Sequence, residues 1–355
     1  MTKKPTLLFT IPTLGAGGAE RVLVSLLNYW ADKNLWHMIL VVHDHPDTPP
    51  FYPVHASIQV IHTGLWKKHR RWWIVFKLYG LIKVLKPDGV VPFILWNNIL
   101  TLLATRFACV PCVIAERNSP DMVKNPLLKI LRNWVYGWAK GIVVQTERGK
   151  MMFSQSFKTA VIPNPVFMAK KSVDYGAKTI IAVGRLCEQK AFDVLIQAFS
   201  LLEKSHQDWK LMIFGEGPDR KKLELLIQQK KLEGRVCLSG TTKTISGELA
   251  KASIFVLSSR FEGIPNALAE AMALGLSVVS TDCPTGPREL ITPLENGILV
   301  PVDDVKAMSQ GIKTLMDNPK MRENFGKKAA KAMEQYDMKH IAPLWEKEFQ
   351  IFFKG

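Results

Sequence analysis

Short apolar runs alternate with longer amphipathic segments, a pattern that predicts parallel strands joined by helices. Leu7–Ile11 is a continuous apolar run, and Ala19–Lys33 repeats apolar residues at helical spacing. The first half predicts further strands at His37–His43, Ile58–His62, Gly89–Leu95, Val113–Glu116, Gly141–Gln145 and Thr159–Ile162. It predicts further helices at Trp72–Leu85, Asn97–Phe107 and Pro126–Trp138.

The same rhythm restarts after a polar, proline-containing stretch at Asn164–Lys178. Predicted strands in the second half are Thr179–Gly184, Trp209–Phe214, Val236–Leu238, Ile254–Leu257, Ser277–Ser280 and Gly297–Val300. Predicted helices are Ala191–Leu202, Asp219–Lys230, Ser246–Lys251, Pro265–Ala273, Val305–Asp317, Met321–Glu334 and Ile341–Phe353. We therefore expect an α/β protein with two doubly wound, Rossmann-like domains facing a central cleft. The N-terminal domain covers residues 1–165 and the C-terminal domain residues 178–335. Residues 336–355 form a helix that packs back on the N-terminal domain.

Composition narrows the class of protein. The chain has 355 residues, enough for two domains, and only five cysteines, which do not indicate a disulfide framework. Cys109 and Cys112 form a CxxC within an apolar stretch, and no second pair has zinc-ligand spacing. The N-terminal segment predicts a first strand and not a signal peptide, because Pro12 interrupts its apolar run. A membrane-spanning helix needs about 18 consecutive apolar residues, and the sequence contains no uninterrupted run of that length.

The charge is unevenly distributed. The chain has a net charge of +16, and residues up to Pro165 hold 20 Lys and Arg against 8 Asp and Glu, a net of +12. Eight of the ten tryptophans also lie before Pro165. A basic, tryptophan-rich half points to an anionic partner, which leaves nucleic acid, a lipid surface and phosphorylated substrates open.

Two glycine-containing loops follow predicted first strands. Gly15, Gly17 and Gly18 precede Glu20 at the start of the first helix, where a backbone can approach an anion closely. The loop is not GxGxxG, and a plain tight turn is the alternative. In the second half Gly184 and Arg185 end a strand, and Lys190 follows. The two cations, Arg185 and Lys190, could together bind a diphosphate. The alternative is that both are solvated surface charges.

Later in the second half, Phe214 is followed by a turn containing Gly215 and Gly217. The most informative string runs from Phe261 to Ala273. Glu262 and Glu270 are separated by seven residues, and a turn between them opens a helix whose first amides can receive phosphate oxygens. The residues of that turn are Gly263, Ile264, Pro265 and Asn266.

This string resembles the E-x7-E motif of retaining family-4 glycosyltransferases with the GT-B fold. The resemblance extends to the Gly17–Arg21 loop, Ile162–Pro165, Gly184-Arg185 with Lys190, and Gly215–Pro218. Cys283–Glu289 is similar to a string in bacterial members that move hexoses or N-acetylhexosamines onto lipid-linked glycans.

The resemblance implies that the C-terminal domain binds a nucleotide-sugar donor and the N-terminal domain binds the acceptor. Arg185 and Lys190 would hold the diphosphate, Glu270 the ribose and Glu262 the transferred sugar, while Gly17 and its neighbours face the reacting centre. The base would be surrounded by residues near Ser239–Thr244, including Gly240. The implied donor site also includes Gly184, Gly215, Gly217, Gly263, Ile264, Pro265 and Asn266.

One position departs from the family. Many relatives have a histidine where this chain has Arg117, after Ala115 and Glu116. Arginine is always protonated and cannot serve as a base, so we expect it to stabilise the leaving phosphate. No Asp-x-Asp triplet occurs, and we therefore expect metal-independent catalysis with no cofactor.

The densest basic and aromatic cluster contains Lys67, Lys68, Arg70, Arg71, Trp72 and Trp73. A looser group follows at Lys124, Lys129, Arg132, Trp134, Trp138 and Lys140. Cations attract anionic lipid and tryptophan favours the membrane interface, so we expect peripheral binding to the inner face of the cell membrane. A solvated helix face over core tryptophans is the alternative; nucleic-acid binding is a further one, although no nucleic-acid motif is present.

Together these features predict a retaining transferase in the cytoplasm. It would move a hexose or N-acetylhexosamine from a nucleotide-diphosphate donor, which we expect to be a UDP-sugar, to a lipid-linked or polysaccharide acceptor. The pathway would be surface polysaccharide, lipopolysaccharide or protein-glycan assembly. A GT-B nucleotide-sugar epimerase and a basic nucleic-acid-binding protein are the competing hypotheses.

Overall fold

The computed structural model describes residues 4–66, 70–117, 125–153, 156–166, 173–242 and 244–354. The chain divides into two compact units. The first contains Met1–Pro165 and Met338–Gly355, and the second contains Val166–Asp337. No helix in the described ranges is long and apolar enough to cross a membrane.

The N-terminal unit is built on parallel strands. Its strands are β1 (Thr6–Ile11), β2 (His37–Val42), β3 (Gln59–His62), β4 (Gly89–Pro92), β5 (Val113–Ala115), β6 (Gly141–Val144) and β7 (Thr159–Val161). They form sheets of order β3-β2-β1-β4 and β5-β6-β7, and parallel bridges Val90–Cys112 and Phe93–Ala115 join the two sheets. Strands β1 and β2 are almost entirely buried, as expected for parallel strands covered on both faces.

The helices of this unit are α1 (Gly18–Asp32), α2 (Trp73–Leu85), α3 (Leu95–Ala108), α4 (Pro126–Tyr136), α5 (Glu147–Phe153) and the C-terminal α13 (Met338–Lys354). Successive strand residues point to opposite faces of a sheet. Leu8 packs in one core cluster with residues of α2 and α3, whereas its neighbour Phe9 packs on Trp30 and Phe349. Helices α2 and α3 therefore cover one face, and α1 and α13 cover the other.

The C-terminal unit contains one six-stranded parallel sheet. Its strands are β8 (Thr179–Val183), β9 (Lys210–Phe214), β10 (Val236–Leu238), β11 (Ile254–Leu257), β12 (Ser277–Thr281) and β13 (Ile298–Val300), in the order β10-β9-β8-β11-β12-β13. Its helices are α6 (Phe192–Ser200), α7 (Arg220–Gln229), α8 (Ile245–Leu249), α9 (Asn266–Leu274), α10 (Pro287–Leu290), α11 (Val305–Asp317) and α12 (Pro319–Met333). The order reverses beside β8, and ligands of doubly wound sheets bind at such a switch point.

The structure corrects one predicted strand boundary and adds two helices. The strand predicted at Gly89–Leu95 ends at Pro92, because Ile94 has a positive φ of 76° and α3 begins at the next residue. Helices α5 and α10 are absent from the prediction, since each is too short to show amphipathic periodicity.

Candidate functional site

Three loops meet at the carboxyl edge of the C-terminal sheet. They follow β8, β9 and β10, which are parallel neighbours. The amide of Gly215 donates to the carbonyl of Gly240 (2.7 Å) and the amide of Gly184 donates to the carbonyl of Phe214 (2.9 Å). Gly215 has φ +142°, and a Cβ there would lie 1.9 Å from the carbonyl oxygen of Gly184. These loops therefore pack backbone against backbone, which only glycine permits at residue 215.

The two predicted diphosphate cations have different surroundings. Arg185 is exposed, and its guanidinium has no hydrogen-bond or ion-pair partner within the described ranges. Lys190 lies along Gly184 with its alkyl chain, and its ammonium donates to Oε1 of Glu262 over 2.6 Å. The structure therefore brings Lys190 and Glu262, 72 residues apart in sequence, into one ion pair.

Glu262 is only 6% exposed and is held from several directions. Its Oε1 also accepts from the hydroxyl of Ser259 (2.6 Å), and its carbonyl accepts from the hydroxyl of Thr285 (2.7 Å). Burial first, and the nearby negative charge of Glu262 second, raise the pKa of the Cys283 thiol to about 12. Glu262 is thus a buried carboxylate that is paired with one ammonium and one hydroxyl.

The loop before Glu262 is hydrogen-bonded to the segment containing Lys190. The hydroxyl of Ser258 donates to the Lys190 carbonyl (2.7 Å), and Arg260 reaches the carbonyl of Glu188 and the carboxylate of Asp303. Ser258, Ser259 and Arg260 were not among the site residues predicted from the sequence. In the sequence these three residues form a polar run directly after β11. That position could have indicated them, because residues that follow parallel strands collect at one edge of the sheet.

Helix α9 begins at Asn266, directly after the turn formed by Gly263, Ile264 and Pro265. Glu270 lies within α9 and is buried. The loop containing Cys283 packs on this turn. Gly286 has φ +86°, and a Cβ there would lie 1.8 Å from the carbonyl oxygen of Gly263. A helix N-terminus with partial positive charge therefore opens four residues after Glu262.

The glycine loop of the N-terminal unit lies between β1 and α1. Gly17 is the N-cap of α1, and Gly15 and Gly18 are exposed. The hydroxyl of Thr13 donates to Oε1 of Glu20 over 3.0 Å, which ties the two ends of the loop together. The loop presents backbone at the carboxyl edge of β1, and its predicted role at the reacting centre stays a prediction.

Arg117 is 5% exposed and lies inside the N-terminal unit. Its Nη1 donates to the carbonyl of Ile162 (3.1 Å) and to Oδ1 of Asn164 (3.0 Å). The guanidinium carbon lies 4.8 Å from the ring centroid of Trp345, a residue of α13. Burial lowers the pKa of Arg117 to about 9, while Nε and Nη2 have no partner in the described part of the chain. Its role toward the leaving phosphate stays a prediction.

The predicted membrane cluster is placed in part. Lys67 and Lys68 lie outside the described residues. Arg70 is exposed, and the guanidinium of Arg71 lies 4.9 Å from the ring centroid of Trp66. Trp72 and Trp73 are exposed. Within the described ranges, no three His, Cys, Asp or Glu side chains are grouped so that they could hold a metal ion.

Comparison with known proteins places the chain among sugar-transferring enzymes. The family model Glycosyl transferases group 1 matches residues 165–332, and the model Glycosyltransferase Family 4 matches residues 16–169. An uncharacterized glycosyltransferase of Haemophilus influenzae is 28% identical over 348 residues, which cover 95% of this chain and 98% of that protein.

A Campylobacter jejuni protein is 29% identical over 355 residues, covering 94% of this chain and 96% of its own length. Its name is N-acetylgalactosamine-N,N'-diacetylbacillosaminyl-diphospho-undecaprenol 4-alpha-N-acetylgalactosaminyltransferase. Among solved structures, the Anabaena protein HepE in complex with UDP and glucose has a TM-score of 0.81 at 16% identity, covering 97% of this chain and 99% of that one. The structural likeness confirms the predicted GT-B fold.

Proposed function

The chain is a glycosyltransferase of the group 1 and family 4 type with the GT-B fold, and on that premise we propose a reaction for it. It transfers a hexose or N-acetylhexosamine from a UDP-sugar to a lipid-linked or polysaccharide acceptor, with retention of the anomeric configuration. The acceptor binds to the N-terminal unit at the inner face of the cell membrane. The product belongs to surface polysaccharide, lipopolysaccharide or protein-glycan assembly.

The ion pair of Lys190 and Glu262, beside the N-terminus of α9, is the observation that carries this proposal. An ammonium has three donor hydrogens, so Lys190 can keep its contact with Glu262 while it donates to a phosphate oxygen. The exposed guanidinium of Arg185 and the partial positive charge of α9 supply further attraction for a diphosphate. A donor held there has its transferred sugar close to Glu262 and its ribose close to Glu270.

In the reaction the bond between the anomeric carbon and the diphosphate oxygen breaks, and a bond from that carbon to an acceptor oxygen forms. The acceptor hydroxyl proton passes to the released diphosphate. Negative charge grows on the diphosphate as its bond breaks, and the cations Lys190 and Arg185 stabilise that charge where it develops. Glu262 is fixed by Ser259 and Lys190, so it can orient the sugar without rearranging. Neither a metal ion nor a cofactor is required in this scheme.

The relatives support the choice of donor and acceptor. The Campylobacter protein is named as an N-acetylgalactosaminyltransferase acting on a diphospho-undecaprenol glycan, and HepE was solved with UDP and glucose. A diphosphate-linked polyprenol acceptor is anionic. That charge suits the N-terminal part of this chain, which has a net charge of +12 up to Pro165.

A thermal-shift series with UDP, UDP-glucose, UDP-N-acetylglucosamine, UDP-N-acetylgalactosamine and GDP-mannose tests donor binding. Radiolabel from the stabilising nucleotide sugar is then followed into membrane extracts. Glu262→Gln should abolish transfer, whereas Glu224→Gln, an exposed carboxylate on α7, should leave transfer unchanged. The anomeric proton coupling of the product reports retention, and an inverted product would overturn that part.

A nucleotide-sugar epimerase is the competing function on the same fold. It would convert one UDP-sugar into its epimer without an acceptor, and incubation of the purified chain with each donor followed by sugar analysis would reveal it. Transfer that strictly requires the membrane extract excludes this alternative. Tight duplex binding at physiological salt, unaffected by Glu262→Ala, would instead support a nucleic-acid-binding protein.

A further inference from the structure

One face of the N-terminal unit has exposed apolar side chains on two helices that are distant in sequence. On α2 these are Trp73, Phe76 and Val84; on α4 they are Leu127, Ile130 and Trp134. Trp73 and Trp134 are each 63% exposed. We call these six residues the apolar face. Solvent exposure of so many large side chains is unusual for a surface that contacts only water.

Helix α3 lies between α2 and α4 and joins them into one layer. Its Leu100 and Ala104 pack with α2, and its Ile99 and Leu102 pack with residues of α4. Phe107 near the end of α3 is also exposed. All three helices therefore cover the same side of the sheets, opposite to the side covered by α1 and α13.

The charge of this layer has one sign. Helices α2, α3 and α4 contain no Asp or Glu. Their exposed cations are Lys77, Lys83, Arg106 and Lys129. Within the described ranges none of the four forms an ion pair with a carboxylate. Within the part of the chain that the structure describes, the apolar face is thus accompanied by cations that no carboxylate pairs with.

From this combination we propose that the α2–α3–α4 layer is the surface by which the protein binds an anionic lipid bilayer. The apolar side chains enter the interface, where tryptophan is favoured, and the four cations contact lipid headgroups. The inference specifies the membrane contact left open by the proposed function, and its test does not require enzymatic activity. The orientation places α1 and α13 away from the lipid.

Charge argues against two other occupants. A second copy placed symmetrically on this face would set the same four cations of both copies against each other. The phosphates of a nucleic acid would attract the cations. The aliphatic side chains of Val84, Leu127 and Ile130 would then face phosphates, with which they form no favourable contact. A bilayer with anionic headgroups satisfies both the apolar and the cationic side chains at once.

Vesicle co-sedimentation of the full chain tests the proposal. Vesicles of phosphatidylcholine alone are compared with vesicles that also contain phosphatidylglycerol, and two variants are measured beside the wild type. The charge variant is Lys77→Gln, Lys83→Gln, Arg106→Gln, Lys129→Gln, and the apolar variant is Trp73→Ser, Trp134→Ser. Matched controls on the C-terminal unit are Lys221→Gln, Lys222→Gln, Lys230→Gln, Lys306→Gln and, for the apolar variant, Leu201→Ser, Leu225→Ser.

We expect both the charge variant and the apolar variant to reduce binding to anionic vesicles by about tenfold or more, with both controls binding as the wild type does. Each variant must retain the melting temperature and the far-UV circular dichroism spectrum of the wild type without ligand, which separates loss of lipid binding from misfolding. Equal binding of wild type and both variants would overturn the proposal. Failure of any nucleotide sugar to bind would instead count against the proposed function and leave the vesicle result intact.

A second outcome also overturns the proposal. If the wild type is a dimer by analytical ultracentrifugation and the apolar variant is a monomer, with no vesicle binding by either, the face is an interface between copies. Binding of the wild type to duplex DNA in place of anionic vesicles, lost in the charge variant, would make it a nucleic-acid surface.

Discussion

At the scale of single residues, the site depends on a buried carboxylate that an ammonium neutralises and a hydroxyl helps to orient. Glu262 accepts from Lys190 and from Ser259 at 2.6 Å each. A charge removed from water is tolerated only while such partners are present. The pair therefore contributes to folding as well as to ligand binding, and the two contributions can be measured separately.

Replacing Lys190 by Met should destabilise the C-terminal unit, because Glu262 would be left buried without its cation. We expect a loss of about 3 kcal/mol in the free energy of unfolding, and recovery of most of it in the double variant Lys190→Met, Glu262→Gln. Arg220→Met removes exposed pairs to Glu216 and Glu224 and should cost less than about 1 kcal/mol. Urea unfolding of the four proteins checks this; a double variant as unstable as Lys190→Met would contradict it.

A second residue-scale prediction concerns His43, which lies buried between Asn97 and Thr63. Burial lowers its pKa to about 4, from 6.5 outside the fold. The unfolded chain then binds more protons than the folded chain between these values. The stabilising contribution is therefore complete above the unfolded pKa and is lost as the pH falls from about 6.5 towards 4.

Lowering the pH from about 7 to about 5 should therefore reduce the free energy of unfolding by roughly 2 kcal/mol because of His43. Urea unfolding at both pH values measures the loss, and His43→Gln should show a correspondingly shallower pH dependence. Identical pH dependence in the wild type and in His43→Gln would rule out His43 as its source.

At the scale of elements, α13 matters more than its position at the end of the chain suggests. Trp345 is fully buried, stacks on Phe93 with ring centroids 6.2 Å apart and covers the guanidinium of Arg117. Phe349 packs on Trp30 and Trp36. The last helix therefore completes the core of the first unit.

Trp345→Ala should lower the free energy of unfolding by about 3–5 kcal/mol, because it leaves a cavity and exposes the Arg117 guanidinium. Leu344→Ala is the matched control, because the Leu344 side chain is 42% exposed and its removal should cost less than about 1 kcal/mol. Chemical unfolding of both variants checks the difference. Equal stability of the two variants would show that α13 does not contribute to the core.

At the scale of the whole molecule, the positive charge is distributed unequally between the two parts of the chain. Residues up to Pro165 account for +12 of the net charge of +16. The C-terminal unit provides a few placed cations instead, above all Lys190 and Arg185. If these suffice for the diphosphate, transfer should be unchanged by EDTA. Measuring transfer into membrane extracts with EDTA and with added magnesium checks this, and loss of activity that magnesium restores would refute it.

The sequence by itself was enough to predict the fold class and most strands, because parallel strands buried on both faces appear as continuous apolar runs. It also indicated Arg185, Lys190 and Glu262, which follow strand ends, and Glu270, which lies in the helix that begins after Glu262. It did not predict α5 or α10, which are too short for a period to appear.

Only the tertiary structure decided which of these residues meet. The pairing of Lys190 with Glu262, and the support of Glu262 by Ser259, join positions whose proximity depends on how β8 and β11 lie side by side. It likewise placed Arg117 beneath Trp345 and brought the apolar residues of α2 and α4 onto one layer. Local sequence determines each element from its own residues, whereas burial, ion pairing and shared surfaces depend on contacts between residues far apart in the chain.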